Sequence, residues 1–307
     1  MVSRRRAFAV RPSLLYFLQP ALRDRALRGS GIFAEGAALS ANLTGSLSQD
    51  SAASAPVIDW SAVPSGYRDR YRSAKPWPHL VLDQLIDPHV VREAEGQEAA
   101  QAPSLTLHKS HRQVKAESRR VSGPAAQQIL DGLVSTEMVE FLRDLTNIPT
   151  LVGDPTFCWA GIQAGQPGSF VSVHNDFRRH PVSRLYHRVN VLVYLNSSWE
   201  ESYGGHLEMW TRDLRSCGQR ISPIAGRTVI FETDADTYHA VPEPLTCPDD
   251  RWRLTLASYY YSETPSASDR RRPYVRRPRR PQDPWRTAFV SPRSLVVNRW
   301  RWRHRVG

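Results

Sequence analysis

The segment Val171-Ser-Val-His-Asn-Asp-Phe177 sets an imidazole and a carboxylate two residues apart, at His174 and Asp176. In extended backbone, residues i and i+2 project to the same side, so a ring nitrogen and a carboxylate oxygen can meet one metal ion. One more His would complete a two-His, one-carboxylate face, which leaves positions open on an octahedral iron. The best later candidate is His239, in Thr237-Tyr-His-Ala-Val241. A surface His beside a solvated Asp would give the same short motif, so the surrounding pattern has to decide.

Outward from this stretch, the chain from Pro155 on reads as short strands. They are expected at about 156–165, 170–176, 187–196, 206–210, 219–223, 227–232, 237–241 and 252–261, with Gly, Pro, Asn or Asp in the gaps. Val229-Ile-Phe231 is the apolar strand before His239, and Arg253 opens the run Leu254-Thr-Leu-Ala-Ser-Tyr-Tyr-Tyr261. Burying an unpaired guanidinium is expensive, so Arg253 calls for a partner, and a carboxylate gripped bidentately would serve. Arg251 lies on the same strand face and is the rival. It also reads as a loop-end cation in water, and Arg253 is preferred because it sits deeper in the apolar run.

Upstream, the folded part is expected to begin near Val57-Ile-Asp-Trp60. Lys75-Pro-Trp-Pro-His-Leu-Val-Leu82 reads as a strand entered through prolines, and Asp87-Pro88 as an N-cap and first turn of a helix running to about Ala100. Residues 101–120 are polar and of mixed charge, which predicts a loop or lid. Leu130, Leu133, Val134, Met138, Phe141, Leu142 and Leu145 recur at three- and four-residue steps, which predicts one helix capped by Ser122, stopped by Pro149 and backing a sheet. Eight short strands with the helices gathered before them predict an all-β core with α-helical support (α+β), built as a double-sheet jelly roll of the cupin-like, double-stranded β-helix kind.

The net charge of +11 belongs to the ends of the chain. Residues 263–307 hold thirteen Arg against three acids, and residues 1–50 seven Arg against three acids, which leaves −3 for the body. A global basic charge would point to nucleic acid; this distribution weakens that inference. The expected organisation is an Arg/Ala-rich disordered extension over 1–55, one catalytic domain over 56–262 (helical support 77–150, jelly-roll core 151–262) and a basic Arg/Pro-rich tail over 263–307. No apolar run reaches the ~18 residues of a membrane span, and no convincing secretory signal opens the chain. Three widely spaced cysteines, Cys158, Cys217 and Cys247, suit free thiols in a reducing compartment, and the expected location is cytoplasmic.

Residues 151–262 resemble the iron(II)- and 2-oxoglutarate-dependent oxygenases of the prolyl-4-hydroxylase-like branch. The matching pieces, in order, are His174-Asn-Asp176, Asn190-Val-Leu-Val-Tyr-Leu-Asn196, Tyr203-Gly-Gly-His-Leu-Glu-Met-Trp210, Gly226-Arg-Thr-Val-Ile-Phe231, His239 with Val241-Pro242, and Arg253-Leu-Thr-Leu-Ala-Ser-Tyr-Tyr-Tyr261. The resemblance implies Fe(II) held by His174, Asp176 and His239. It implies 2-oxoglutarate chelating that iron, with its far carboxylate on Arg253, Tyr194 and Thr255. It implies O2 as oxidant, ascorbate as an accessory reductant, and hydroxylation of an unactivated C–H with succinate and carbon dioxide as co-products. Arg178 and Val241 are candidate substrate contacts.

His206-x-Glu208 is a second formal ligand pair, but it follows a Gly-Gly turn in a segment that matches a noncatalytic strand. His180 and His187 read as surface or substrate-channel residues rather than ligands. The expected partner is a small-molecule or amino-acid-type substrate, with a peptidyl-proline as the alternative; no membrane partner is expected and the oligomeric state is left open. From another class, a nucleic-acid-binding or repair protein would use the Arg-rich tail with Trp285, Trp300 and Trp302. A degenerate, noncatalytic relative is disfavoured by the complete set of His174, Asp176, His239 and Arg253.

Overall fold

The computed structural model describes residues 57–110 and 113–268. The extension over 1–55, all but the first residues of the basic tail, and the tail tryptophans lie outside the described residues.

The eight expected strands are present: β5 (Gly161–Gly165), β6 (Phe170–His174), β7 (Tyr186–Tyr194), β8 (Leu207–Trp210), β9 (Cys217–Ile221), β10 (Thr228–Glu232), β11 (Tyr238–Val241) and β12 (Arg253–Ser262). They order as β10-β7-β12-β5 on one face and β6-β11-β8-β9 on the other, every pair antiparallel. This interleaving of early and late strands is the double-stranded β-helix. Its spine is β7 against β12, paired from Thr255 with Tyr194 to Ser262 with Tyr186. Val189, Val191, Val193, Leu256 and Tyr260 on these two strands are fully buried.

The stretch expected to be a loop or lid is instead a hairpin, β2 (Leu107–Ser110) and β3 (Gln113–Ser118). Its residues are polar because β3 is a seam rather than a core strand: it pairs with β5 and with β6, joining the two faces of the roll along one edge. The approach of β3 to β5 is tight. Gly161 has φ +90°, and a Cβ there would lie 2.4 Å from the Ser118 carbonyl oxygen, so only glycine fits. The opposite edge is closed differently. β1 (His79–Leu82) pairs with β10, while the buried Trp77 just before it donates its Nε1–H to the Trp210 carbonyl on β8 at 3.0 Å.

The helices back the larger face. α1 (Tyr67–Ser73) precedes β1, and α2 (Pro88–Gln101) begins as expected, with the Asp87 carboxylate accepting from the His89 N–H at 2.7 Å. The single helix expected between Ser122 and Pro149 is two, α3 (Pro124–Leu133) and α4 (Thr136–Thr146). Ser135 interrupts it: its hydroxyl accepts from the Met138 N–H and starts a new helix, the usual preference of serine for an N-cap over a helix interior. The apolar stripe survives the break, and Leu130, Leu133, Met138, Leu142 and Leu145 are all fully buried, each contributing roughly 1.5–3 kcal/mol by leaving water. Ser122 does not cap α3 with its side chain. Buried Glu98 of α2 accepts from the Ser122 and Gly123 N–H groups, and Gln97 from that of Ala125, so one helix caps the next. Just before the roll, the short β4 (Val152–Gly153) pairs with the end of β12.

None of Cys158, Cys217 and Cys247 forms a disulfide. Among the described residues no helix is long and apolar enough to cross a membrane.

Candidate active site

Strand pairing explains why two distant histidines meet. His239 on β11 lies directly opposite His174 on β6, and their rings are 4.4 Å apart, centroid to centroid. Asp176 follows two residues beyond the end of β6. Its Oδ1 lies 3.6 Å from His174 Nε2 and 3.7 Å from His239 Nε2, too long for hydrogen bonds and wide enough for an ion between them. One ligand atom from each of the three residues falls within 4.8 Å of the others, the one such His/Cys/Asp/Glu group among the described residues.

Neighbours hold each group in place. The Ser172 carbonyl lies 2.8 Å from His174 Nδ1, which turns Nε2 inward. Asn190 on β7 donates to Asp176 Oδ2 at 2.7 Å, leaving Oδ1 for the histidine side. Burial alone would raise the Asp176 pKa. The nearby His239, His187 and His174 and the Asn190 hydrogen bond outweigh it and hold the carboxyl at about 2. Burial lowers the pKa of His239 against the pull of Asp176, which favours the neutral imidazole a metal needs.

A second feature adjoins the triad. Arg253, the first residue of β12, lines a cavity with Lys115, Gln163 and Val241. Its Nε donates to the Gly205 carbonyl at 2.7 Å and its Nη1 to Thr255 Oγ1 at 3.0 Å, and the guanidinium lies 5.0 Å from the Tyr194 ring. Gly205 makes this possible: at φ +76°, a Cβ there would come within 2.9 Å of the Arg253 side chain. Among the described residues no carboxylate pairs with Arg253. Burial lowers its pKa, and Tyr194 opposes the shift. The fully buried Tyr194 hydroxyl makes no hydrogen bond of ordinary geometry, and burial raises its pKa against the Arg253 charge, so it stays protonated as a donor. The rival Arg251 instead donates to the Ser197 and Ser198 carbonyls on a loop.

A family model described as the 2OG-Fe(II) oxygenase superfamily matches residues 160–261. Residues 160–261 belong to the 2OG-Fe(II) oxygenase superfamily. A search of curated proteins gave no match to the chain. Among solved structures, a prolyl-4-hydroxylase from Pseudomonas putida is 18% identical, covering 64% of this chain and 98% of its own, with a TM-score of 0.44. A prolyl hydroxylase from Trichoplax adhaerens, in complex with a hypoxia inducible factor peptide, is 16% identical over 66% of this chain and 89% of its own (TM-score 0.46). HygX from Streptomyces hygroscopicus, with nickel and 2-oxoglutarate bound, is 13% identical over 64% of this chain and 91% of its own (TM-score 0.41). Likenesses at this level do not bear on substrate.

The protein is therefore a 2-oxoglutarate-dependent dioxygenase, which uses Fe(II), 2-oxoglutarate and O2. The residues fit these groups. Three convergent neutral-or-anionic donors suit a divalent iron, and a cavity-lining arginine with no acidic partner suits a diacid.

The remaining candidates separate cleanly. Val241 lines the cavity beside Arg253, whereas half-buried Arg178 lines neither that cavity nor the cleft beside His206. Glu208 shares its face with Ala240, the side opposite His239, and its carboxylate meets Trp210 Nε1 and Arg220, while His206 pairs with Glu201. His180 and His187 are not surface residues but are 0% and 2% exposed. His180 lies 3.3 Å from the Asp154 carboxylate, and His187 stacks on Phe177 at 4.5 Å behind Asp176. Burial lowers the His187 pKa, so it packs as a neutral aromatic. Asn190 and Lys115 were missed by sequence reasoning. The signal for Asn190 was a lone amide inside Val189-Asn-Val-Leu-Val193, since a buried amide requires a partner.

Proposed function

We propose that His174, Asp176 and His239 hold the iron, that Arg253, oriented by Thr255 and flanked by Tyr194, holds the far carboxylate of 2-oxoglutarate, and that the enzyme hydroxylates an unactivated C–H of a small-molecule or amino-acid-type substrate. The observation that supports it is a His-Asp-His cluster whose two histidines share strands β6 and β11 with Val171 and Val241, which line a cavity whose one arginine has no acidic partner among the described residues. When bound, iron and 2-oxoglutarate supply the oxidising power: one atom of O2 enters the new hydroxyl and the other enters succinate, with carbon dioxide released.

The chain's own residues do the rest. Asn190 fixes which oxygen of Asp176 faces the histidines. Thr255 and the Gly205 carbonyl hold the guanidinium fork, so it meets a carboxylate with little reorganisation. Buried Leu192, Phe231 and Leu207 keep the interior apolar and limit water.

A second reading, peptidyl-proline hydroxylation, is favoured by one feature. Trp159 is 44% exposed and stands edge-on to Phe177 at 4.6 Å, beside the Asp176 turn, an aromatic surface on which a proline ring packs. The test is succinate formation from 2-oxoglutarate by the full chain with Fe(II), followed by mass analysis of candidate substrates for one added oxygen. No turnover and no 2-oxoglutarate binding would remove the proposal.

A further inference from the structure

The seam strand β3 carries two opposite charges on one face, Lys115 and Glu117, and β3 lies next to β6, the strand that carries His174. Lys115 Nζ lies 2.7 Å from Glu117 Oε2, with side-chain exposures of 23% and 38%. On an ordinary surface such a pair contributes almost nothing. Here Lys115 lines the cavity that Arg253 and Gln163 also line. Glu117 pairs in register with Gln163 of β5, whose Nε2 donates to the Tyr259 hydroxyl of β12 at 3.1 Å. These four side chains form a polar rim on three adjacent strands. The rim lies within electrostatic reach of the triad: the Lys115 charge acts on His239, and the charges of both Asp176 and Glu117 act on Tyr259. Burial and those two carboxylates keep the Tyr259 phenol protonated, as a donor.

We propose that the substrate is a small zwitterion, in the simplest case a free α-amino acid, whose carboxylate is received by Lys115 and whose ammonium is received by Glu117, on the seam strand beside the cavity that Arg253 lines. This rests on the iron and 2-oxoglutarate reading above. A lone anion would meet Glu117 and a lone cation Lys115. A neutral peptide segment would leave the pair closed on itself. A zwitterion offers each of the two charges an opposite charge of its own. Residues i and i+2 of a strand are ~6–7 Å apart, so once separated the two charges can address two groups of one small molecule. Gln163 and Tyr259 remain to hydrogen-bond the body of the ligand.

The experiment uses the full chain with Fe(II) and 2-oxoglutarate. Succinate formation is measured with free amino acids, with their N-acetyl and methyl-ester forms, and with a proline-containing peptide. Binding of the same compounds to the Mn(II)- and 2-oxoglutarate-loaded protein is followed by calorimetry under nitrogen. At least one free amino acid should stimulate succinate formation, and blocking either of its ends should weaken binding at least tenfold. Glu117→Gln and Lys115→Met should each raise KM for that amino acid about tenfold or more with a much smaller change in kcat, the signature of lost ground-state binding. Unchanged melting temperatures show that both variants fold. Equal binding of blocked and free forms, a peptide that outperforms every free amino acid, or an unchanged KM in both variants overturns the proposal. If the wild-type chain binds Mn(II) and 2-oxoglutarate but no free amino acid stimulates it, the zwitterion fails alone. If it binds neither, the underlying reading has failed and the zwitterion proposal falls with it.

Discussion

Two carboxylate–histidine groups differ in this molecule: Asp154 with His180 is buried, and Asp176 with His174 and His239 is half-buried. Asp154 is 1% exposed, and its oxygens are filled: they accept from the Thr156 N–H and hydroxyl and the Cys158 N–H, with His180 Nε2 at 3.3 Å. Asp176 has one oxygen tied to Asn190, and the other faces two imidazole nitrogens at distances too long to bond. The first group is a closed knot that fastens a loop. The second leaves ligand atoms facing one another without a bond between them. Residue type does not distinguish them; unfilled lone pairs do.

The comparison breaks if the open group tolerates change. His174→Ala and Asp176→Ala should each reduce 2-oxoglutarate turnover to background while the far-ultraviolet circular dichroism stays unchanged. Retained turnover in either variant would remove that residue from the ligand set. Arg253→Ala should raise the half-saturating 2-oxoglutarate concentration ~30-fold or more, as loss of a charged bidentate contact costs at least ~2 kcal/mol. Arg251→Ala, bonded only to loop carbonyls, should change it less than about twofold. Asn190→Leu should weaken metal binding about tenfold, the usual scale for a group that orients a ligand, read by Mn(II) titration.

The closed group should respond in stability rather than activity. Asp154→Asn should lower the unfolding free energy by roughly 3 kcal/mol, with kcat per folded molecule unchanged. Its pH dependence follows from the Asp154 pKa. Burial alone would raise it, but His180 and the Thr156 donors hold it below the ordinary value. A depressed native pKa means that the unfolded chain binds the proton more tightly. The carboxylate's contribution is therefore complete above the unfolded value of ~3.9 and fades as pH falls through the native one. The wild type should lose its advantage over Asp154→Asn in denaturant titrations below about pH 4, and an advantage that grows with acid would refute the assignment.

Much of this was legible in the amino-acid order. The jelly roll shows because its strands are buried and alternate with turn residues, so periodicity and punctuation agree. The candidate residues His174, Asp176, His239 and Arg253 stand out because a His-x-Asp pair and a strand-entry arginine are conspicuous among apolar neighbours. What stayed hidden was set by tertiary contact. Gln113, Lys115 and Glu117 alternate with Val114, Ala116 and Ser118, and only Ala116 of the six is fully buried, so a strand held by its pairing to β5 and β6 resembles a solvated loop. The break at Ser135 leaves the apolar stripe in phase, so hydrophobic spacing alone does not reveal it. His180 and His187 gave no sign of burial because their partners, Asp154 and Phe177, are brought to them by the fold.

Trp77 and β3 together fix how this enzyme can move. One ties the two faces of the roll at β8 and the other at β5 and β6, so the layers are fastened along both long sides. A barrel hooped in this way resists opening like a clam, which leaves the turns at its two ends as the segments with the most room to shift.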